Sequence, residues 1–150
     1  MKPTITMPPQ APITMTVFHG TDRHFERFSL DYAARPGMNP NGHLGVWLAM
    51  ERELAQRFGP LCLEVNLTVD RPYWMPLREL MTLNDRCWRE LWCDRERDLT
   101  RQEEADLGQR FYREYREQLL HQGYDTIYLV EKDQRVDMVI ALCPDRLTIL

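Results

Sequence analysis

The stretch "LCLEVNLTV", residues 61–69, alternates without a break. Leu61, Leu63, Val65, Leu67 and Val69 fall on one side of an extended chain, and Cys62, Glu64, Asn66 and Thr68 on the other. A period of two held over this length fits a strand with one face in a core, and it excludes an amphipathic helix there. The chain therefore builds a sheet, and other segments supply its partners. Residues 13–18, "LGVWLAM" (44–50), "DTIYLV" (125–130), "RVDMVIAL" (135–142) and "LTIL" (147–150) are short, apolar and rich in β-branched or aromatic residues. The polar turn "EKDQ" joins the 125–130 and 135–142 strands into a hairpin.

Helical periodicity is confined to the middle and to one short piece. "ERELAQRF" (51–58) is a short helix stopped by Gly59-Pro60. Residues 76–83 and 85–93 predict two helices, the second with Trp88, Leu91 and Trp92 on one stripe. Trp74, Trp88, Trp92, Tyr112 and Tyr115 are expected mostly to pack against the sheet, the alternative being that an exposed part of them recognises a partner. Thr100 with Glu103 has the spacing of a capping box and opens a helix to about Gln122, with Leu107, Phe111, Tyr115 and Leu119 aligned. Strands at both ends with helices between them predict an α+β class. The 150 residues suffice for one core. The expected organisation is a flexible, Pro-rich lead-in over 1–12 and a single domain over 13–150.

Net charge and cysteine usage narrow the function classes. A formal charge of −4 argues against bulk electrostatic binding of nucleic acid, and makes a nucleic-acid-binding module the weakest reading. The prolines at 3, 8, 9 and 12 break any apolar run near the start, so neither a signal peptide nor a membrane span is expected. Cys62, Cys87, Cys93 and Cys143 lack C-x-x-C spacing and read as free thiols of a cytoplasmic protein. His19, His24, His43 and His121 include no helical i, i+4 metal pair, and no metal is expected. Nucleotide-cradling glycine loops and the G-x-S-x-G elbow are absent.

What remains is a set of residues at strand ends. His19-Gly20-Thr21 closes the first strand, presenting an imidazole and then a stretch of main chain without a side chain. Between it and "GHLGVWLAM" (42–50) lies a long loop, 29–43, with Pro36-Gly37 and Asn39-Pro40-Asn41-Gly42 as turn chemistry. Glu131 follows the 125–130 strand, and Asp137 lies in a strand that is apolar on both faces, so its carboxylate must be paired, at the rim, or functional.

These pieces resemble the ADP-ribosyltransferase fold of the His-Tyr-Glu type. The resemblance rests on His19-Gly20-Thr21, on Gly42-His43-Leu44-Gly45-Val46-Trp47-Leu48-Ala49 running into Ala55-Gln56-Arg57-Phe58, on Gly123-Tyr124-Asp125-Thr126-Ile127, and on Cys143-Pro144-Asp145-Arg146-Leu147. It covers roughly residues 16–70 and 123–150, and its nearest variety is the small, divergent transferases of phage polyvalent and anti-defence proteins. The resemblance implies a two-sheet core flanking an NAD cleft. It also implies mono-ADP-ribosyl transfer from NAD, the substrate, to a protein or nucleic-acid acceptor, with protein preferred.

The roles follow the same resemblance. His19 would bond the adenosine-side ribose, and Gly20, beside Thr21, would hold the nicotinamide amide through its main chain. Trp47 stands where the family has tyrosine and would stack on the nicotinamide ring, or else pack in the core. Arg23 is a minor candidate for the pyrophosphate. Glu131 is preferred over Asp137 as the carboxylate that stabilises an oxocarbenium-like transition state. Two alternatives stay open: an inactive protein of the same fold that binds a partner, and a hydrolase that only consumes NAD.

Overall fold

The computed structural model describes residues 12–30, 39–93 and 97–150. The expected lead-in over 1–12, Pro12 apart, and the 31–38 portion of the expected loop lie outside the described residues. The chain runs through β1 (Ile13–Thr21), β2 (Val46–Ala49), the one-turn helix α1 (Arg52–Ala55), β3 (Leu61–Val69), β4 (Pro72–Pro76), α2 (Leu77–Trp88), α3 (Arg101–His121), β5 (Thr126–Val130), β6 (Val136–Ala141) and β7 (Leu147–Ile149). Short 3₁₀ turns cover Pro40–Leu44, Gln56–Phe58 and Pro144–Arg146, and a π turn, Arg89–Cys93, extends α2.

This is an α+β architecture around a mixed seven-stranded sheet, in the order β4-β5-β6-β2-β1-β3-β7. The β1 strand is three residues longer than expected. It pairs with β3 along its whole length, from Ile13↔Val69 to Thr21↔Leu61. Between β1 and β2 there is a single pair, Phe18↔Ala49. Two separate sheets were expected. Hydrogen bonding instead makes one continuous sheet, joined at that point, with β4, β5, β6 and β2 on one side and β1, β3 and β7 on the other.

The connectivity shows how the halves are arranged. β3 is sixth in the order and β4 first, yet only Asp70 and Arg71 link them. Two residues span roughly 10 Å at most from one strand end to the next, so the sheet must fold back on itself. The core agrees. Val17, Val65, Leu67 and Val69 from one half meet Leu48, Tyr128, Val139 and Ala141 from the other in one buried cluster. The alternation of β3 is borne out, with Leu63, Val65, Leu67 and Val69 all buried.

A second cluster lies on the opposite face of the β4–β2 half. It packs Met75, Ile127, Leu129 and Ile140 against Leu80, Leu83, Leu91, Tyr112 and Leu119 of the helical layer. The capping box of α3 forms as expected, with Thr100 and Glu103 bonding each other's main chain. Two expectations need correction, and one strand has no counterpart in the sequence reading. β4, "PYWMP", is a strand parallel to β5 that its two prolines conceal; proline is tolerated there because β4 is an edge. The two helices expected over 76–93 are one helix running through Asn84, which accepts the Tyr112 hydroxyl. Trp88 and Trp92 do not pack on the sheet but are 60% and 37% exposed, because Leu91 and Cys87 take the inward positions.

Candidate functional site

Hydrogen bonding in the flanking ladders fixes which way the main chain points at the β1–β2 seam. The N–H of Leu150 donates to the Glu64 carbonyl at 2.9 Å, so the polar groups of Glu64 face β7. Phe18, opposite Glu64, therefore turns its N–H and C=O toward β2, and Gly20, two residues on, does the same. On the other side, the N–H of Met50 donates to the Asp137 carbonyl at 2.9 Å. Ala49 and Trp47 must then direct their polar groups away from β6 and toward β1. Phe18 and Ala49 meet in the one ladder pair. Gly20 and Trp47, the next pair in register, are not joined.

His19 spans this gap. Its Nδ1 lies 2.8 Å from the Trp47 carbonyl oxygen, which can only accept, so Nδ1 carries the proton. The ring is wedged edge-on against Phe28 and Phe25, at centroid distances of 5.0 and 5.9 Å. Burial among these rings lowers the imidazole pKa below its usual value, and the bond to Trp47 only partly offsets this. His19 is therefore neutral at pH 7 and keeps Nε2 as a lone-pair acceptor. Phe25 and Phe28 are half-buried and pack against the first core cluster.

Gly20 has a structural reason to lack a side chain. A Cβ there would lie 1.9 Å from the Ala55 carbonyl oxygen and 3.2 Å from the Cβ of Phe58. The helix after β2 thus crosses directly over Gly20 and leaves the ring of Phe58 beside it, 60% exposed. The motifs do not single out Phe58, although it is the last residue of the Ala55-Gln56-Arg57-Phe58 pattern. Thr21 Oγ1 closes a local turn with Arg23, donating to its carbonyl at 3.2 Å, and the Arg23 side chain is exposed.

Trp47 is placed differently from the stacking role. Val46 and Leu48 enter the first core cluster, whereas the Trp47 indole lies against the second, on the opposite face of β2 from His19. Its Nε1 donates to the Asn41 carbonyl at 3.1 Å and fastens the Pro40–Leu44 turn. That turn rests in addition on Gly108 of α3, where a Cβ would come within 2.6 Å of Pro40.

Both acidic candidates belong to the β5–β6 hairpin, on the far side of the Phe18–Ala49 pair from Gly20. Asp137 is bound by Arg135, Nε to Oδ1 at 2.8 Å. Glu131 has its main chain locked in the turn, with its N–H on the Arg135 carbonyl and its own carbonyl accepting from Gln134. Its half-buried carboxylate makes no ion pair or hydrogen bond among the described residues. Neither acid touches His19.

A cleft of about 170 Å³ between the end of α2 and α3 is lined by Cys87, Leu91, Phe111, Glu90 and Glu114, remote from the seam. Burial pushes the Cys87 thiol up to about 11, so it is inert at neutral pH. Among the described residues, no group of three or more His, Cys, Asp or Glu side chains could hold a metal, and no helix is long and apolar enough to cross a membrane.

No protein-family model matches this chain, and no curated protein matches it. A solved structure described as the crystal structure of an anti-CRISPR protein is similar to it at 11% sequence identity and a TM-score of 0.45, over 95% of this chain and 100% of that one.

Proposed function

We propose that the protein is a mono-ADP-ribosyltransferase that uses NAD as its substrate, as the resemblance of its motifs implies. The observation that carries the reading is the orientation of Gly20, whose N–H and C=O project into an unpaired seam. A donor and an acceptor on one residue match a primary carboxamide, whose oxygen accepts and whose NH₂ donates. The nicotinamide end of NAD offers that group. Beside it, neutral His19 presents Nε2 to a hydroxyl donor such as a ribose, and the exposed Phe58 ring supplies an aromatic face.

In the reaction the bond between nicotinamide and ribose breaks, and nicotinamide leaves with the bonding pair. A nucleophile of the acceptor bonds the ribose carbon and gives up its proton. Positive charge grows on the ribose along the way, and a carboxylate not already neutralised stabilises it best. Asp137 is bound by Arg135, whose charge also acts on Glu131, and both acids lie beyond the Phe18–Ala49 pair from Gly20; Glu131 is the candidate for this role by the resemblance alone.

Incubation with biotin-labelled NAD and a bacterial lysate tests the reading, with Glu131→Gln and Asp137→Asn run separately. Transferred label that survives Asp137→Asn and is lost in Glu131→Gln is the expected result, with a protein acceptor. Free nicotinamide without label would make the protein an NAD hydrolase. Neither product would leave a partner-binding protein of this fold, a reading that the occupied indole N–H of Trp47 favours.

A further inference from the structure

We infer that His19 holds the seam open, by occupying the carbonyl that would otherwise zip β1 onto β2. The Phe18↔Ala49 pair is of the hydrogen-bonded type, and the next pair of that type in an antiparallel ladder falls two residues on, at Gly20 and Trp47. Both residues already point their polar groups across the gap. Zipping would join Gly20 N–H to the Trp47 carbonyl and Trp47 N–H to the Gly20 carbonyl, and neither amide would remain for a ligand. What stands in the way is the His19 ring, whose Nδ1–H takes the Trp47 carbonyl at 2.8 Å. The ring is itself pinned by Phe25 and Phe28, which makes a preformed wedge out of a side chain.

His19 is thus a positioning residue for the main chain of Gly20, apart from any contact it makes with substrate. Protonation does not release the wedge, since an imidazolium still donates from Nδ1; only removal of the donor does. The wedge rests on the seam geometry alone. Its effect on NAD rests on the function proposed above.

Amide hydrogen exchange of the ¹⁵N-labelled protein, read by NMR without NAD, tests this directly. In the wild type, the Gly20 and Trp47 amides exchange rapidly while Phe18 and Val65 are protected. His19→Ala slows Gly20 and Trp47 by about tenfold or more, as a new ladder pair forms. His19→Asn, which keeps a donor close to the position of Nδ1, leaves both fast. His19→Leu keeps apolar bulk against Phe25 and Phe28 without a donor, and gives the same slowing if the alanine variant is unstable. Protection of Gly20 in the wild type overturns the inference. So does unchanged exchange in the variants that lack the donor. Loss of NAD labelling with these exchange results intact would count against the proposed reaction and not against the wedge.

Discussion

The buried carboxylate of Asp125 accepts the main-chain N–H of Asp70 at 2.8 Å and also reaches the N–H of Arg71. These two residues are the whole link between β3 and β4, so one side chain fastens the point where the folded sheet closes. Arg146 adds a bond to Asp70 at 2.6 Å and lies 3.9 Å from Asp125. Asp125→Ala leaves two main-chain donors without a partner, and is expected to lower stability by about 2–4 kcal/mol. Asp125→Asn retains one acceptor and loses less. Urea unfolding of both variants checks the order.

Gly20→Ala places a methyl 1.9 Å from the Ala55 carbonyl. Backbone must move to admit it, so a stability loss of more than about 2 kcal/mol is expected, as for a severe overpacking. A thermal melt indistinguishable from the wild type would show that α1 does not cross β1 this closely.

Gln134 closes the β5–β6 turn at φ 68, in the left-handed region that favours glycine. Gln134→Gly removes that strain and is expected to stabilise the protein by about 0.5–1 kcal/mol, after the entropy glycine adds to the unfolded chain. The midpoint of chemical denaturation reads this, with m unchanged.

The lowered pKa of His19 gives stability a sign with pH. The unfolded imidazole takes up its proton near pH 6.5, before the folded one does, so the unfolded state binds more protons in that window. Stability contributed by the neutral ring is present above pH 6.5 and falls as the pH drops from there toward the folded pKa. His19→Asn removes this component. A plot of melting temperature from pH 7.5 to 5 is expected to be shallower for the variant than for the wild type.

Phe58 is exposed and supports no core, so Phe58→Ala is expected to leave stability within about 0.5 kcal/mol. If the ring faces the nicotinamide, the same change raises KM for NAD several-fold. Calorimetric melting beside an NAD titration separates the two effects.

Much of the fold is legible along the chain because periodicity is local. The alternation of Leu61–Val69, the Thr100–Glu103 cap and the "EKDQ" turn each declare their structure within a few residues. The concealed β4 is a tertiary effect: its prolines forbid a central strand, and only its place at the edge beside β5 admits them. Likewise, nothing near Trp88 and Trp92 states that Leu91 and Cys87 take the buried positions, since that depends on how α2 rotates against α3. At the candidate site, the motifs name His19, Gly20 and Trp47. The direction of the Gly20 amide, however, follows from Leu150 on Glu64, a bond between residues far apart in the sequence. The opposite facing of Trp47 depends on the register of β2 with β6, which spacing alone does not reveal.

A sheet joined by one ladder pair along one margin and by the Asp70–Arg71 link across from it has its halves fixed to each other at two separate points. The core cluster that both halves share fills the space between them, so the same contacts that hold the protein together set the width of the seam.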